Sequence, residues 1–144
     1  MIDHQTAIDR ITSLGLFKNV GGAAKGAALM DGKLPLGDGP EAYVIPMADS
    51  PGQAHGQASP VQMMSCHFGV ALMVRISGDA GGASGLAKIE QLQRDLRKGM
   101  MGWTPAPGFS PLILGGGRLL DFQPQALWWL EEFISNCGLA AEES

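Results

Sequence analysis

The chain has 144 residues, 45% of them hydrophobic and 17% charged, with a formal net charge of −4. That length and balance fit one domain, residues 1–144, with its own core; they exclude a wholly disordered chain and a broadly cationic phosphate-binding surface. Glycine, at 21 residues, is about twice as frequent as usual and predicts several kinks and loops.

The opening MIDHQTAIDRITSLGLF has neither the charged leader nor the unbroken apolar core of a signal peptide. No window approaches about 18 consecutive apolar residues, so no membrane span is expected. Ile8, Ile11 and Leu14 recur at helical spacing behind Asp3, a suitable cap, and predict a short amphipathic helix stopped at Gly15. LFKNV then reads as a short strand, and GGAAKGAALMDGKLPLGDGP as a loop with one helical turn. AYVIPMA is a strand by its β-branched and aromatic content, and Pro46 puts it at an edge or on a bulge. Residues 49–60, DSPGQAHGQASP, have no periodicity and read as a flexible surface loop.

The most regular stretch is residues 61–77, VQMMSCHFGVALMVRIS. Met64, Cys66, Phe68, Val70, Leu72, Val74 and Ile76 alternate with a mixed set, a period-two strand with one buried side. Such a strand would span about 55 Å at roughly 3.3 Å per residue, against a radius of gyration near 15 Å for a domain of this size. Either Gly69 breaks or bends it, or one end projects as an arm that pairs with a neighbour.

After the turn-rich GDAGGASG, with Ser84 a plausible cap, a central helix follows over about 84–99. Leu86, Ile89, Leu92 and Leu96 make its apolar stripe, and Arg97 and Lys98 complement its C-terminal dipole. Trp103 is an aromatic anchor in the next loop. A β-hairpin over about 112–134 closes the fold, with Gly115, Gly116 and Gly117 as a kink and Pro124 at the turn. Trp128 and Trp129, adjacent on a strand, serve opposite faces. The tail, residues 138–144, is expected to fray. The order of elements predicts an α+β fold, a mostly antiparallel β-sheet packed against helices.

Catalytic chemistry finds no support. GGAAKGAAL and GGGRLL both lack the GxxxxGK[ST] order and strand-to-helix setting of a phosphate loop. Ser84 lacks the second glycine of a nucleophile elbow. Cys66 and His67 diverge on a strand, as do Glu131 and Glu132, so neither couple works as a pair. For the two glutamates the expectation is one facing solvent and one facing a partner. His4, His55 and His67 show no metal-ligand spacing, and the two cysteines, Cys66 and Cys137, give no zinc pattern or disulfide framework. They read as small buried hydrophobes in a reducing cytoplasm. No catalytic residue, cofactor or metal is assigned. Met63, Met64, Met73, Met100 and Met101 read as core filling, with an adaptable interface as the alternative.

AYVIPMA, FGVALMVRI, MMGWTP and PLILGGGRLLDFQPQALWWLEEF occur in one order, and over about Ala42 to Phe133 that run resembles the tail terminator proteins of long-tailed bacteriophages and related tail-like particles. The resemblance implies a virion structural protein at the tail–neck junction, assembled in the host bacterial cytoplasm. It implies a homo-oligomer, a hexameric ring that caps the tail tube and stops its polymerisation. It further implies a tail tube protein and a head-completion or connector protein as partners, with DNA passing through the lumen without specific binding.

On that reading the assembly surface would use Asp49, Gln53, His55 and Gln57 of the loop and Met63 and His67 of the long strand. Arg75, Arg94, Arg97 and Lys98 would make inter-subunit ion pairs, the alternative being a solvated helix face. Gly69, Trp103, Gly115, Gly116, Gly117, Pro124, Trp128 and Trp129 are assigned structural roles. Two other functions stay open: another head–tail joining or minor tail protein, and a small ligand-binding or enzymatic domain using the glycine-rich loops.

Overall fold

The computed structural model describes residues 1–76 and 83–140. Three helices, α1 (His4–Ser13), α2 (Ala23–Met30) and α3 (Ala83–Met100), accompany five strands. These are β1 (Asn19–Gly22), β2 (Glu41–His55), β3 (Val61–Arg75), β4 (Ile113–Phe122) and β5 (Ala126–Ala140). The sheet order is β1-β2-β3-β5-β4, parallel between β1 and β2 and antiparallel elsewhere. The expected α+β class with a mostly antiparallel sheet is what forms.

Helix α1 starts where its cap predicts. The Asp3 carboxylate accepts from the Thr6 amide at 2.9 Å and from the Thr6 hydroxyl at 2.8 Å. Those bonds favour the ionised carboxyl and hold it below its ordinary value.

Alternation along the strands divides the interior in two. On one face Val44, Phe68, Val70, Leu72, Val74 and Phe133 pack with Ile11 of α1 and Ile89, Leu92 and Leu96 of α3. On the other, Tyr43, Met73 and Trp128 pack with Leu29 of α2. Trp128 and Trp129 do point apart: Trp128 is fully buried in the second cluster, and Trp129 packs against the first. The Trp128 indole donates to Gln123 Oε1 at 3.2 Å, and its ring lies 6.1 Å from that of Tyr43.

Several expected boundaries change. The glycine-rich stretch after β1 holds a full helix, α2, where one turn was expected, because Ala23–Met30 consists of strong helix formers except for Gly26 and can lay Leu29 on the sheet. Gly26 in it sits where a Cβ would come 2.9 Å from Tyr43 Cβ, so helix and strand approach closely. Helix α3 begins at Ala83, which places Ser84 inside the first turn. Leu86 is 46% exposed, and the buried stripe is instead Gly85, Ile89, Leu92, Leu96 and Met100. Met73 and Met100 are core, whereas Met63 and Met101 are exposed.

The largest correction concerns residues 49–60. Asp49–His55 are the outer half of β2, paired through Ala54↔Gln62 and His55↔Val61, and only residues 56–60 turn the chain. Strand β2 carries register shifts at Pro46/Asp49 and Pro51/Ala54, where an unpaired residue relieves a proline that cannot donate. Residues 138–140 do not fray as expected but pair with Val61–Met63; residues 141–144 lie outside the described residues. So does Ser77, the expected end of the long strand.

Gly69 does not break β3, which is continuous over 15 residues. A Cβ on Gly69 would lie 2.6 Å from Leu130 Cδ1 and 3.2 Å from Met47 Sδ. The glycine therefore admits two neighbouring side chains onto the sheet. The outer halves of β2 and β3, with the end of β5 beside them, form a three-stranded arm whose residues are largely exposed.

Candidate functional site

The triple glycine, the first candidate for a ligand site, is built into a strand. Gly116 has φ +156°, in the region that favours glycine, and sits at the register shift between Leu114 and Gly116. A Cβ on Gly117 would lie 2.7 Å from Glu131 Oε1 and 3.1 Å from Trp129 Nε1. One on Gly115 would lie 2.8 Å from Ile134 Cδ1. Since no helix follows on directly, no set of free amides faces a phosphate here. The glycines give room to a buried polar cluster.

That cluster joins α3 to β5. Arg97 Nε donates to Glu131 Oε2 at 2.6 Å and Arg97 Nη2 to Oε1 at 2.9 Å, while the Trp129 indole donates to Oε1 at 2.7 Å. Glu131 is fully buried, so its charge is held by partners that satisfy both oxygens. The carboxylate beside it raises the Arg97 guanidinium further above its ordinary value. Arg97 thereby makes its ion pair within the chain, with Glu131. The two glutamates diverge as the strand requires, yet neither is free: Glu132 Oε1 lies 2.7 Å from His67 Nδ1 on the opposite face.

The remaining candidates fall into two groups. Arg75 is turned inward, with Nη1 3.4 Å from the Leu36 carbonyl, and His67 is half-buried against Glu132. Arg94 and Lys98 are exposed on α3, Arg94 donating to Gln91 Oε1 at 2.9 Å. Gln53, His55, Gln57 and Met63 are all exposed on the arm, and Asp49 at its base meets the Met1 amino group at 3.3 Å. Trp103 is half-buried, with the Arg10 guanidinium 5.7 Å from its ring centre. Pro124 lies in the β4–β5 connection and lines an open groove of about 520 Å³ together with Leu29, Leu34 and Leu36.

Among the described residues, several exposed large apolar side chains fall on the arm and on β4, besides Met1, Leu34, Leu86 and Met101 elsewhere. On the arm these are Met47, Val61, Met63 and Leu139; on β4, the last strand of the sheet, they are Ile113, Leu119 and Phe122. Residue spacing along β4 did not mark it as exposed. Its place at the end of the sheet order does.

Among the described residues, no three His, Cys, Asp or Glu side chains gather where they could hold a metal ion, and no helix is long and apolar enough to cross a membrane. Among the described residues, β2 beyond Val44 and the outer side of β4 are two unpartnered strand edges of a packed fold. The model of the phage tail terminator protein family matches residues 1–139. The chain belongs to the phage tail terminator family. Membership makes it a structural component of a phage tail, in agreement with the resemblance read from the sequence, and extends the match through the first forty residues. A comparison with curated proteins finds no match.

Proposed function

We propose that the chain forms a closed ring on the end of the tail tube, stops tube polymerisation, and offers the surface to which the head-completion or connector protein attaches. The match of nearly the whole chain to the tail terminator family carries this reading. In this reading the ring has six members, the tube protein is its partner, and DNA slides through its lumen.

The two unpartnered surfaces support a ring. A cyclic assembly needs two different, complementary patches on each subunit, meeting head to tail. The arm offers a strand edge free of β1 beyond Val44, and β4 offers a second free edge at the far side of the sheet. Each bears exposed apolar residues. A solitary subunit would leave both open to unwanted pairing, and neighbours in a ring would cover them. The net charge of −4 suits a conduit that repels DNA over one that grips it.

Loss of the gene tests the reading in the phage itself. Overlong tails, or tails without heads, are expected. Tails of normal length joined to heads would refute it.

A further inference from the structure

Cys66 on β3 and Cys137 on β5 bring their sulfurs to 3.8 Å, although 71 positions separate them in the chain. The register pairs Cys66 with Ser135 and Met64 with Cys137, so the two cysteines are diagonal neighbours across antiparallel strands. Both side chains point to the same face, against the main core. Both are free thiols. A disulfide needs about 2.05 Å between sulfurs, a closure within reach of side-chain rotation and a small approach of the strands.

Their position is specific. Along β3, Val61–Ser65 are exposed or half-buried and Cys66 is the first fully buried residue. Along β5, Cys137 is half-buried and Gly138–Ala140 beyond it are exposed. The thiols therefore sit where the arm leaves the body. Of the two, Cys137 is the more exposed and Cys66 the more deeply buried.

We propose that Cys66 and Cys137 are a thiol–disulfide site that a small-molecule disulfide oxidises, joining β3 to β5 at the root of the arm. In the first step the Cys137 thiolate attacks one sulfur of the small disulfide and expels its other half as a thiolate. Cys66 then loses its proton and attacks the Cys137 sulfur of the mixed disulfide, expelling the second small thiol. Two protein thiols are oxidised, one small disulfide is reduced to two thiols, and the protons leave on those thiols. Burial, with Cys137 alongside, pushes the Cys66 thiol up to about 11, which fits the later role.

The use of such a site rests on the reading of the chain as a tail component. A particle is assembled in a reducing cytoplasm and then released into oxidising surroundings. The subunit would assemble with a pliable arm and be stapled after release.

The test uses the full chain, reduced and then exposed to oxidised glutathione at neutral pH. Intact mass and thiol alkylation should show a monomer that has lost two hydrogens and both free thiols. Peptide mapping should recover one cross-link, between Cys66 and Cys137. C66S should stop as a glutathione adduct at Cys137, and C137S should leave Cys66 unmodified under the same conditions. Hydrogen exchange at residues 61–64 and 138–140 should slow on oxidation. Retention of both thiols, arrest of the wild type at the mixed disulfide, or cross-linking only between molecules would overturn the proposal. Reaction of Cys66 in C137S would overturn the assigned order. Tube capping by the reduced protein is measured separately, so failure of the thiol chemistry leaves the tail reading standing, and failure of capping leaves the thiol chemistry standing.

Discussion

Arg97 of α3 and Glu131 of β5 meet in a two-pronged ion pair, at 2.6 and 2.9 Å, with the carboxylate fully buried. The pair fixes the position of the helix along the sheet, because both oxygens of Glu131 are used and one is shared with Trp129.

Removing one partner leaves a charge in the core. Arg97→Ala should cost about 3 kcal/mol, the lower end for a broken buried pair, because Arg97 itself is 35% exposed. The double change R97M/E131L should cost less than the single one, since no charge is then stranded. Urea unfolding of the three proteins measures both differences. A single variant as stable as wild type would show that the pair does not hold the helix.

Gly117 should tolerate no side chain. A Cβ there meets Glu131 Oε1 at 2.7 Å and Trp129 Nε1 at 3.1 Å, so Gly117→Ala should destabilise by about 1–3 kcal/mol, as overpacking does. Gly138 makes a fair control, since a Cβ there meets only Met63 Sδ, at 3.9 Å. The two midpoints of urea unfolding decide it, and equal losses would contradict the tight approach described for β4.

Tyr43, the single tyrosine of the chain, is fully buried and donates to Glu41 Oε2 at 3.1 Å. Burial, followed by the nearby Glu41, raises its phenol above the ordinary value of 10.0. A raised folded value means that the associated stability is complete below the unfolded value and is lost as pH climbs above it. Thermal midpoints should therefore fall above about pH 10, and phenolate absorbance should appear with unfolding. A phenolate signal near that pH in the folded protein would show Tyr43 to be accessible.

The arm should be dispensable for folding. Replacing residues 52–63 with Asn-Gly joins Pro51 to Met64, which already face each other across the hairpin. Every residue removed except Gln62 is exposed, so the variant should keep a cooperative thermal transition within a few degrees of wild type, about what a loss of 1 kcal/mol produces. Loss of cooperative unfolding would place part of the core in the arm.

What the sequence disclosed, and what it hid, follows from where side chains carry a pattern. Alternation from Met64 to Ile76 exposed the buried face of β3, and adjacency on a strand was enough to separate Trp128 from Trp129 and Glu131 from Glu132. Asp49–His55 gave no such signal. That half of β2 is exposed on both faces and is held to β3 by backbone pairing, which leaves no trace in residue type. Ala23–Met30 hid α2 for a similar reason, its small side chains making no stripe. Arg97 looked like an ordinary cation in a last helical turn, and only the fold sets it over Glu131, 34 positions away. The thiol pair was invisible for the same cause: Cys66 and Cys137 are neighbours only through the pairing of β3 with β5.

The most direct measurement adds the purified chain to polymerising tail tube protein and follows tube length by electron microscopy. Tubes should stop growing and carry a six-fold ring at one end, whereas the folded variant lacking residues 52–63 should leave them uncapped. Tubes that grow unchecked, with the intact chain remaining a monomer at high concentration, would contradict the account.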